Sequence, residues 1–138
     1  MIIDHIGIVV PKLEEGIKQW TNLFGYTQKS EPILNSIQKL YVVFMAKDNS
    51  LTVKLISPSS DDSAIKAFAR KGGGLHHLCF KCDKLEVQVP ILQDKGARLV
   101  LPPQPGEAFD NQNIAFLLSS NNLNFELIDT NKKIGWHY

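Results

Sequence analysis

Four polar residues are placed so that their side chains could do chemistry together: His5, Lys54, His77 and Glu126. They form two pairs with one spacing, because His77 follows His5 at the same interval in the sequence at which Glu126 follows Lys54. Imidazole and carboxylate groups exchange protons or bind metal ions, and an ammonium group donates hydrogen bonds to negative charge. Whether the four side chains meet depends on the elements that carry them.

This common interval extends well beyond the four positions. The segment GLHHLCFKCDKLE, at 74–86, repeats features of IDHIGIVVPKLE, at 3–14, and both end in Lys-Leu-Glu. The same interval pairs Phe44 with Phe116, and no gap is needed between the segments. A fixed period of this kind is typical of repeated structural units, so the sequence predicts two copies of one module.

Length and composition predict one globular domain. The chain has 138 residues, of which 43% are hydrophobic and 21% charged, and this balance allows a well-packed core. The net charge is +1 and no basic block occurs, so neither nucleic acid nor a membrane surface is favoured as a partner. The first ten residues lack a cationic region and carry two polar residues in their apolar run. They do not predict a signal peptide, and a cytoplasmic location is expected.

Each copy is predicted to fold as a strand, a helix and three further strands, which gives an α+β protein. The predicted strands are 2–10, 27–33, 38–46 and 51–57 in the first copy and 75–82, 98–101, 113–118 and 122–129 in the second. Module one then covers 2–57 and module two 74–129. A connector with a short helix over 58–73 joins them, and a tail over 130–138 follows.

The helices are predicted from apolar periodicity. Apolar residues recur at helical spacing across 13–24, which indicates a first helix that packs on one face. Pro11 is expected in the first turn of this helix, and Asp83 is expected at the cap of the second. Pro90 falls inside the second pattern and removes a backbone donor, so that helix is expected to be kinked or shortened.

Alternation along the strands places the four polar residues on one face of the sheet. Residues two apart share a face of a strand, so His5 points away from Ile6, which is expected to pack against a helix. The same alternation separates His77, Lys54 and Glu126 from the apolar face of their strands. A two-fold relation between the modules would bring all four together at the centre of a curved sheet.

Several chemically capable features receive ordinary structural interpretations. Cys79 and Cys82 form C-x-x-C inside a strand, where residues three apart point to opposite faces, so they are expected to be structural thiols. Alternation turns His76 away from the cleft, and His137 is expected in the tail. The stretch at 102–113 is rich in turn residues and is expected to form a loop at the lip of a cleft.

The segments DHIGIVV, SAIKAFARKGGGLHHLCF, NIAFLL and FELID resemble the vicinal-oxygen-chelate superfamily. That superfamily contains glyoxalases, methylmalonyl-CoA epimerases, extradiol dioxygenases and bleomycin- or fosfomycin-resistance proteins, and the epimerase branch is most similar. The resemblance covers nearly the whole chain. It implies two paired βαβββ modules in a curved, incompletely closed sheet around a cleft, and a homodimer. It also implies a divalent metal in the cleft, with His5, His77 and Glu126 as its ligands.

Two positions depart from the pattern of the family. Lys54 stands where glyoxalases and epimerases have a fourth metal ligand, usually Glu or Gln. The epimerases also place an acid–base glutamate just before a Gln, and the matching Gln38 is here preceded by Ile37. Epimerisation needs a proton removed on one face and returned on the other, so it requires two positioned groups. Of the two groups that epimerisation requires, Glu126 is the one that stands at a position expected from the family.

The favoured interpretation keeps the metal and predicts a small-molecule metalloenzyme of the glyoxalase or epimerase type. Two histidines and a carboxylate form a facial triad with open positions, which suits iron(II) and is tolerated by manganese, zinc or nickel. The ion would act as a Lewis acid on a small-molecule substrate. In that case Glu126 is expected as the base of a proton transfer next to a carbonyl, with the metal or Lys54 holding the oxyanion.

The other interpretation removes the metal. Lys54 brings a positive charge to the place of the ion and could pair directly with Glu126. The protein would then sequester an apolar or planar ligand without chemistry, which is the role that a resemblance to the bleomycin-resistance members implies. An iron(II) dioxygenase is a third alternative, which the triad allows. Metal loading separates the two enzymes from the binding protein, and oxygen uptake separates the dioxygenase from the proton-transfer enzyme.

Overall fold

The computed structural model describes residues 1–136, and within that range the chain forms nine strands, three α-helices and one 3₁₀ turn. His137 lies outside the described residues. In chain order the elements are β1 (Ile2–Val9), α1 (Leu13–Phe24), β2 (Thr27–Gln28), β3 (Ile33–Asn35), β4 (Leu40–Ala46), β5 (Thr52–Pro58), α2 (Lys66–Arg70), β6 (Gly74–Lys81), α3 (Leu85–Asp94), β7 (Arg98–Gly106), the 3₁₀ turn (Glu107–Phe109), β8 (Gln112–Leu118) and β9 (Asn124–Ile128).

All nine strands belong to one mixed sheet. Its order is β2-β4-β5-β1-β6-β9-β8-β7, and β3 pairs separately with β4. β1 runs parallel to β5, β6 runs parallel to β9, and the antiparallel pair of β1 with β6 joins the two halves at the centre. This confirms the predicted α+β fold, in which two βαβββ modules form a curved sheet that does not close. The strand predicted over 27–33 is in fact two short strands, β2 and β3, which both pair with β4.

Strand alternation divides the core as the sequence predicts. The face that carries Val53 and Leu55 packs against α1, and the face that carries Phe125 and Leu127 packs against α3. The opposite face forms a third, inner core, and its large buried members are Phe44, Ile56, Phe109, Ile114, Phe116 and Ile128. Because these side chains fill the concave side of the sheet, polar groups on that face lie in an environment that excludes water.

α1 covers the predicted 13–24, but the helical positions expected for Pro11 and Asp83 were wrong. Pro11 and Asp83 both precede the cap positions, which are Lys12 and Lys84, and neither lysine side chain makes a capping hydrogen bond. For α3 a distant residue takes this role, because the Leu85 N–H donates to Asp129 Oδ2 at 2.9 Å. Pro90 lies inside α3, which has ten residues where α1 has twelve.

The expectation of a loop over 102–113 was wrong. β7 continues through Pro102 and Pro105 to Gly106, and the 3₁₀ turn then buries Phe109 in the inner core. β7 is the edge strand of the sheet and pairs with a neighbour on one side only. The missing N–H groups of its prolines are therefore tolerated. Register shifts between Leu101 and Gln104 accommodate these prolines in the pairing of β7 with β8.

No helix among the described residues is long and apolar enough to cross a membrane.

Candidate active site

The four predicted residues meet at the centre of the sheet. They lie on four consecutive strands, with Lys54 on β5, His5 on β1, His77 on β6 and Glu126 on β9. All four are buried, with 0% exposure for His5 and Glu126, 2% for His77 and 4% for Lys54. The pairing of the two modules therefore brings residues from opposite ends of the chain into one cluster, as their common spacing predicted.

Glu126 is the centre of this cluster. Its Oε1 lies 2.9 Å from His5 Nε2 and 3.3 Å from His77 Nε2. Lys54 Nζ donates hydrogen bonds to both carboxylate oxygens, at 3.3 Å to Oε1 and 3.2 Å to Oε2. The ammonium group of Lys54 also lies 5.0 Å from the centre of the Phe109 ring. A buried carboxylate is costly unless it is paired, and here the pairing is made by Lys54.

The two histidines are arranged like ligands of one metal ion. Neither Nε2 atom has a hydrogen-bond partner among residues 1–136, although both are buried and close to Glu126 Oε1. The three ligand atoms lie within 4.8 Å of one another. Atoms bound to one ion at about 2.1 Å, at angles of about 90° to 110°, lie roughly 3.0–3.4 Å apart. The separations of 2.9 and 3.3 Å therefore fit a divalent ion held by His5, His77 and Glu126.

Each histidine is oriented by the residue before it. Asp4 Oδ2 accepts from His5 Nδ1 at 2.8 Å, and Nδ1 of His76 lies 2.7 Å from Nδ1 of His77. With the outer nitrogen engaged in this way, Nε2 of each ring is left to point at the cluster. Lys133, from the segment after β9, holds the other oxygen of Asp4 at 3.1 Å.

The expectation that His76 faces away from the cleft was wrong, and the cause is a β-bulge. Gly7 pairs with His77 while Ile8 pairs with Leu75, so His76 is an extra residue that the ladder skips. A bulge breaks strict alternation, and both histidines can then lie on the cavity side. His76 accordingly lines the cavity together with His77.

Gly7 makes room for His77. The two residues are paired across β1 and β6, and a Cβ placed on Gly7 would lie 2.1 Å from His77 Cε1. The imidazole therefore lies directly on the backbone of β1. The ring is held on its other side by Phe116, edge-on at 5.2 Å between centroids.

Burial and charge set the protonation of the cluster. Burial lowers the pKa of His77 to about 4, in spite of the neighbouring Glu126, so the imidazole is neutral at pH 7. Burial alone would raise the pKa of Glu126, but Lys54 and the two histidines outweigh it and hold that pKa well below its usual range. Neutral histidine and ionised glutamate are the forms that bind a metal ion.

A cavity of about 430 Å³ opens beside the cluster, between the two modules. Of the four central residues, Lys54 and His77 line it, while His5 and Glu126 lie behind them and do not. The remaining polar lining is formed by Gln38, Lys39, Asp62, His76, Gln104 and Asn124. The walls are largely apolar and include Ile37, Leu40, Ile56, Ile65, Val100, Leu101 and Phe116. Such a pocket suits an apolar small molecule with a few polar groups.

Sequence reasoning missed Asp4, His76 and Gln104 as members of the site. Asp4 and His76 are related by the same interval as His5 and His77, which was a usable signal, whereas Gln104 was hidden in the presumed loop. Asn124 also lines the cavity, whereas the ammonium group of Lys81 lies outside it and donates to the side chain of Asn131.

The two cysteines lie on opposite faces of the sheet and are both free thiols. Cys79 belongs to the inner core, where it comes close to Asp4 and His5 in a second group of ligand types. Burial raises the pKa of Cys79 well above its ordinary value, so the group stays a neutral thiol and is a poor ligand at neutral pH.

Fold and site together define a class of protein, in which paired βαβββ modules carry two histidines and a carboxylate at the centre of one sheet. The chain belongs to the Glyoxalase/Bleomycin resistance protein/Dioxygenase superfamily, whose sequence pattern it matches over residues 4–116. This confirms the resemblance to the vicinal-oxygen-chelate superfamily.

Similar proteins are named as epimerases. The chain is 30% identical over 102 residues to the mitochondrial methylmalonyl-CoA epimerase of Dictyostelium discoideum, a match that covers 72% of this chain and 60% of that protein. It is 26% identical over 117 residues to the ethylmalonyl-CoA/methylmalonyl-CoA epimerase of Cereibacter sphaeroides, covering 83% and 86% of the two chains. The crystal structure of methylmalonyl-CoA epimerase from Mycobacterium tuberculosis superposes with a TM-score of 0.81 at 26% identity, covering 92% of this chain and 86% of that one. The chain thus spans less than two thirds of the Dictyostelium relative.

Proposed function

We propose that this protein binds a malonyl-type acyl-CoA thioester in the cavity and moves a proton on the carbon next to the thioester carbonyl. The observation that carries the proposal is the cluster at the inner wall of the cavity. There Lys54 and His77 face the ligand space while both contact Glu126. The substrate class is taken from the names of the relatives in Dictyostelium discoideum and Cereibacter sphaeroides.

His5, His77 and Glu126 would hold a divalent ion through Nε2, Nε2 and Oε1. Zinc, nickel, manganese and iron(II) all accept two imidazoles and a carboxylate. When bound, the ion supplies a Lewis acid that polarises the carbonyl and makes the neighbouring C–H more acidic. Asp4 accepts from Nδ1 of His5 and so leaves Nε2 of that ring free for this role, and His76 would do the same for His77 by accepting from its Nδ1.

Lys54 is the group that handles the substrate proton in this proposal. It lines the cavity, whereas Glu126, the base indicated by the sequence, has 0% exposure and contacts Lys54 and the two histidines. For this step the ammonium group of Lys54 must first give up a proton to solvent; the resulting amine then accepts the proton from the carbon, and Glu126 stabilises the ammonium form that is restored. Ile37 lines the cavity, and by the family resemblance it stands at the position of the epimerases' second acid–base group. A single acid–base group returns the proton to the face from which it came, so exchange is expected to be faster than inversion.

The test is deuterium incorporation into methylmalonyl-CoA in D2O, followed by proton NMR, together with chiral analysis of the product. We expect loss of the α-proton signal with metal-loaded protein, a strong decrease in Lys54→Met, and an unchanged rate in the control Lys81→Met. If the protein is shown to contain metal and deuterium incorporation is no faster than in buffer alone, the proposal is contradicted. Oxygen uptake by the iron-loaded protein would indicate dioxygenase chemistry instead.

A second candidate function, ligand binding without a metal, is favoured by two observations. Lys54 already neutralises Glu126 through hydrogen bonds to both oxygens. An isoleucine also replaces the acid–base group at position 37. Elemental analysis after anaerobic incubation with iron, manganese, nickel and zinc separates the two functions, with His77→Ala as the control. Stoichiometric metal that is lost in the control supports the enzyme, and absence of metal from both proteins supports the binding protein.

Two further expectations from the sequence stay predictions. A homodimer is implied by the family resemblance, and sedimentation velocity at two protein concentrations measures it. The cytoplasmic location is checked by fractionating cells that express the tagged full-length protein.

A further inference from the structure

Two amide nitrogens in the cavity are buried and have no hydrogen-bond partner among the described residues: Nε2 of Gln38 and Nε2 of Gln104. Both residues line the same cavity as Lys54 and His77. Buried amide groups are almost always hydrogen-bonded, and an unpaired one costs free energy. Because both residues line one cavity, rotation of each side-chain amide would let a ligand bound there accept a hydrogen bond from both.

The two glutamines come from different modules. Gln38 lies between β3 and β4 of module one, and its backbone N–H donates to Asn35 Oδ1 at 2.9 Å, which fixes the turn. Lys39, the next residue, has a left-handed backbone with φ of 58°. Gln104 lies on β7 of module two, paired with Ile114 after the irregular Pro102–Pro103 step. Gln38 thus lies in a fixed turn and Gln104 in an irregular part of β7. A ligand that contacts both side chains would bridge the two modules.

The surroundings select an acceptor group on the ligand. The neighbouring walls are largely apolar, and both lining cations are already paired, Lys39 with Asp62 and Lys54 with Glu126. Primary amides present N–H donors without charge, and a carboxylate accepts such hydrogen bonds more strongly than a neutral carbonyl does. A carboxylate has two oxygens, one for each amide.

We propose that Gln38 and Gln104 bind the free carboxylate of the acyl group and thereby select carboxylated acyl thioesters over plain ones. The inference rests on the proposed function, because it takes the ligand to be a malonyl-type CoA thioester with its thioester carbonyl toward Lys54. The two amides are specificity-determining residues, and they take no part in proton transfer.

The test compares two ligands that differ by this carboxylate, methylmalonyl-CoA and propionyl-CoA, by isothermal titration calorimetry. Gln38→Leu and Gln104→Leu are each expected to weaken methylmalonyl-CoA binding about tenfold and to leave propionyl-CoA binding within about twofold. The matched control is Gln93→Leu, at an exposed position on α3. Because each cavity variant removes an unpaired buried donor, its ligand-free melting temperature is expected to equal or exceed that of the wild type. An equal loss for both ligands, or no loss for either, would overturn the inference.

A second measurement keeps the inference testable if wild-type protein binds neither thioester, a result that would count against the proposed function. The side-chain amide signals of Gln38 and Gln104 are assigned in ¹⁵N-labelled protein by their absence from the leucine variants. Malonate is expected to shift both signals, and its neutral isostere malonamide is expected to shift them less. Signals that do not move with malonate would overturn the inference independently of any CoA compound.

Discussion

Asp4 and His76 occupy equivalent positions in the two modules, and each contacts Nδ1 of the histidine that follows it. Both are also the extra residue of a β-bulge between β1 and β6, since the ladder skips Asp4 on one strand and His76 on the other. A bulge re-aims side chains, and here it turns two consecutive side chains toward one site. The repeat therefore specifies two symmetric pairs, each made of a candidate ligand and the group that orients it.

Asp4→Asn is expected to weaken metal binding roughly 10- to 100-fold. The carboxylate holds the Nδ1–H of His5. Burial alone would raise the pKa of Asp4, but the hydrogen bond from His5 and the charge of Lys133 outweigh burial and lower that pKa. An amide at this position lacks the charge and presents a weaker acceptor. Equilibrium titration with zinc or manganese against a chelating dye measures the affinity.

The control for this prediction is Asp48→Asn, in the exposed turn between β4 and β5. An affinity in Asp4→Asn equal to that of this control would show that His5 needs no carboxylate to hold its tautomer.

Lys54→Gln is expected to raise metal affinity about tenfold or more. The substitution removes an ammonium group that engages both oxygens of Glu126, and it adds a neutral carbonyl oxygen of the kind that metals accept. The same titration is used, with Lys81→Gln as the control outside the cavity. Unchanged affinity in Lys54→Gln would mean that the ammonium group does not compete with the ion for Glu126.

The fold and the central cluster were predictable because they depend on two regular patterns. The fixed period of the sequence defined the two modules, and strand alternation placed His5, Lys54, His77 and Glu126 on one face. Both patterns come from backbone geometry, which side-chain detail rarely overrides.

The errors occurred where backbone geometry is irregular. His76 was assigned to the wrong face because a bulge follows from pairing between strands, which one strand's sequence does not show. The sequence predicts a loop at the end of β7 because Pro102 and Pro105 are poor strand residues, except on an edge strand. Gln104 was lost with that segment, and its place in the cavity depends on the path of β7.

Gly7→Ala is expected to displace His77 and to destabilise the protein by about 1–3 kcal/mol, with loss of metal binding. The added methyl group would lie 2.1 Å from His77 Cε1, on a backbone that is paired on both sides. Urea unfolding at pH 7.5 measures the free energy of unfolding. The informative control is the double variant Gly7→Ala with His77→Ala.

Removing the imidazole should relieve the clash, so the double variant is expected to lose less stability than the two single variants added together. Strict additivity would show that the effect of Gly7→Ala does not pass through the ring of His77.

The metal-free protein is expected to lose stability as the pH falls from 6.5 toward 4. His77 takes up its proton near pH 6.5 when the chain is unfolded, but burial lowers the pKa in the folded state to about 4. Between these values the unfolded chain binds more protons, so acid favours unfolding, by at most about 3 kcal/mol. Beside this ring, burial and the charge of Lys54 also lower the pKa of His76. The other titratable groups that face His77 are His5 and Glu126.

Glu126 also lowers the free energy of unfolding as the pH falls, but it does so at lower pH than His77. Its folded-state pKa lies well below the ordinary value, so its contribution is present above about pH 4.5 and is lost as the pH falls through the folded pKa. Urea unfolding in EDTA at pH 7.5, 6 and 5 separates the two groups, because Glu126 stays ionised across this range. His77→Gln, which keeps a polar side chain without the titration, should flatten the profile between pH 6.5 and 5. An equally steep profile in that variant would assign the acid sensitivity to other groups.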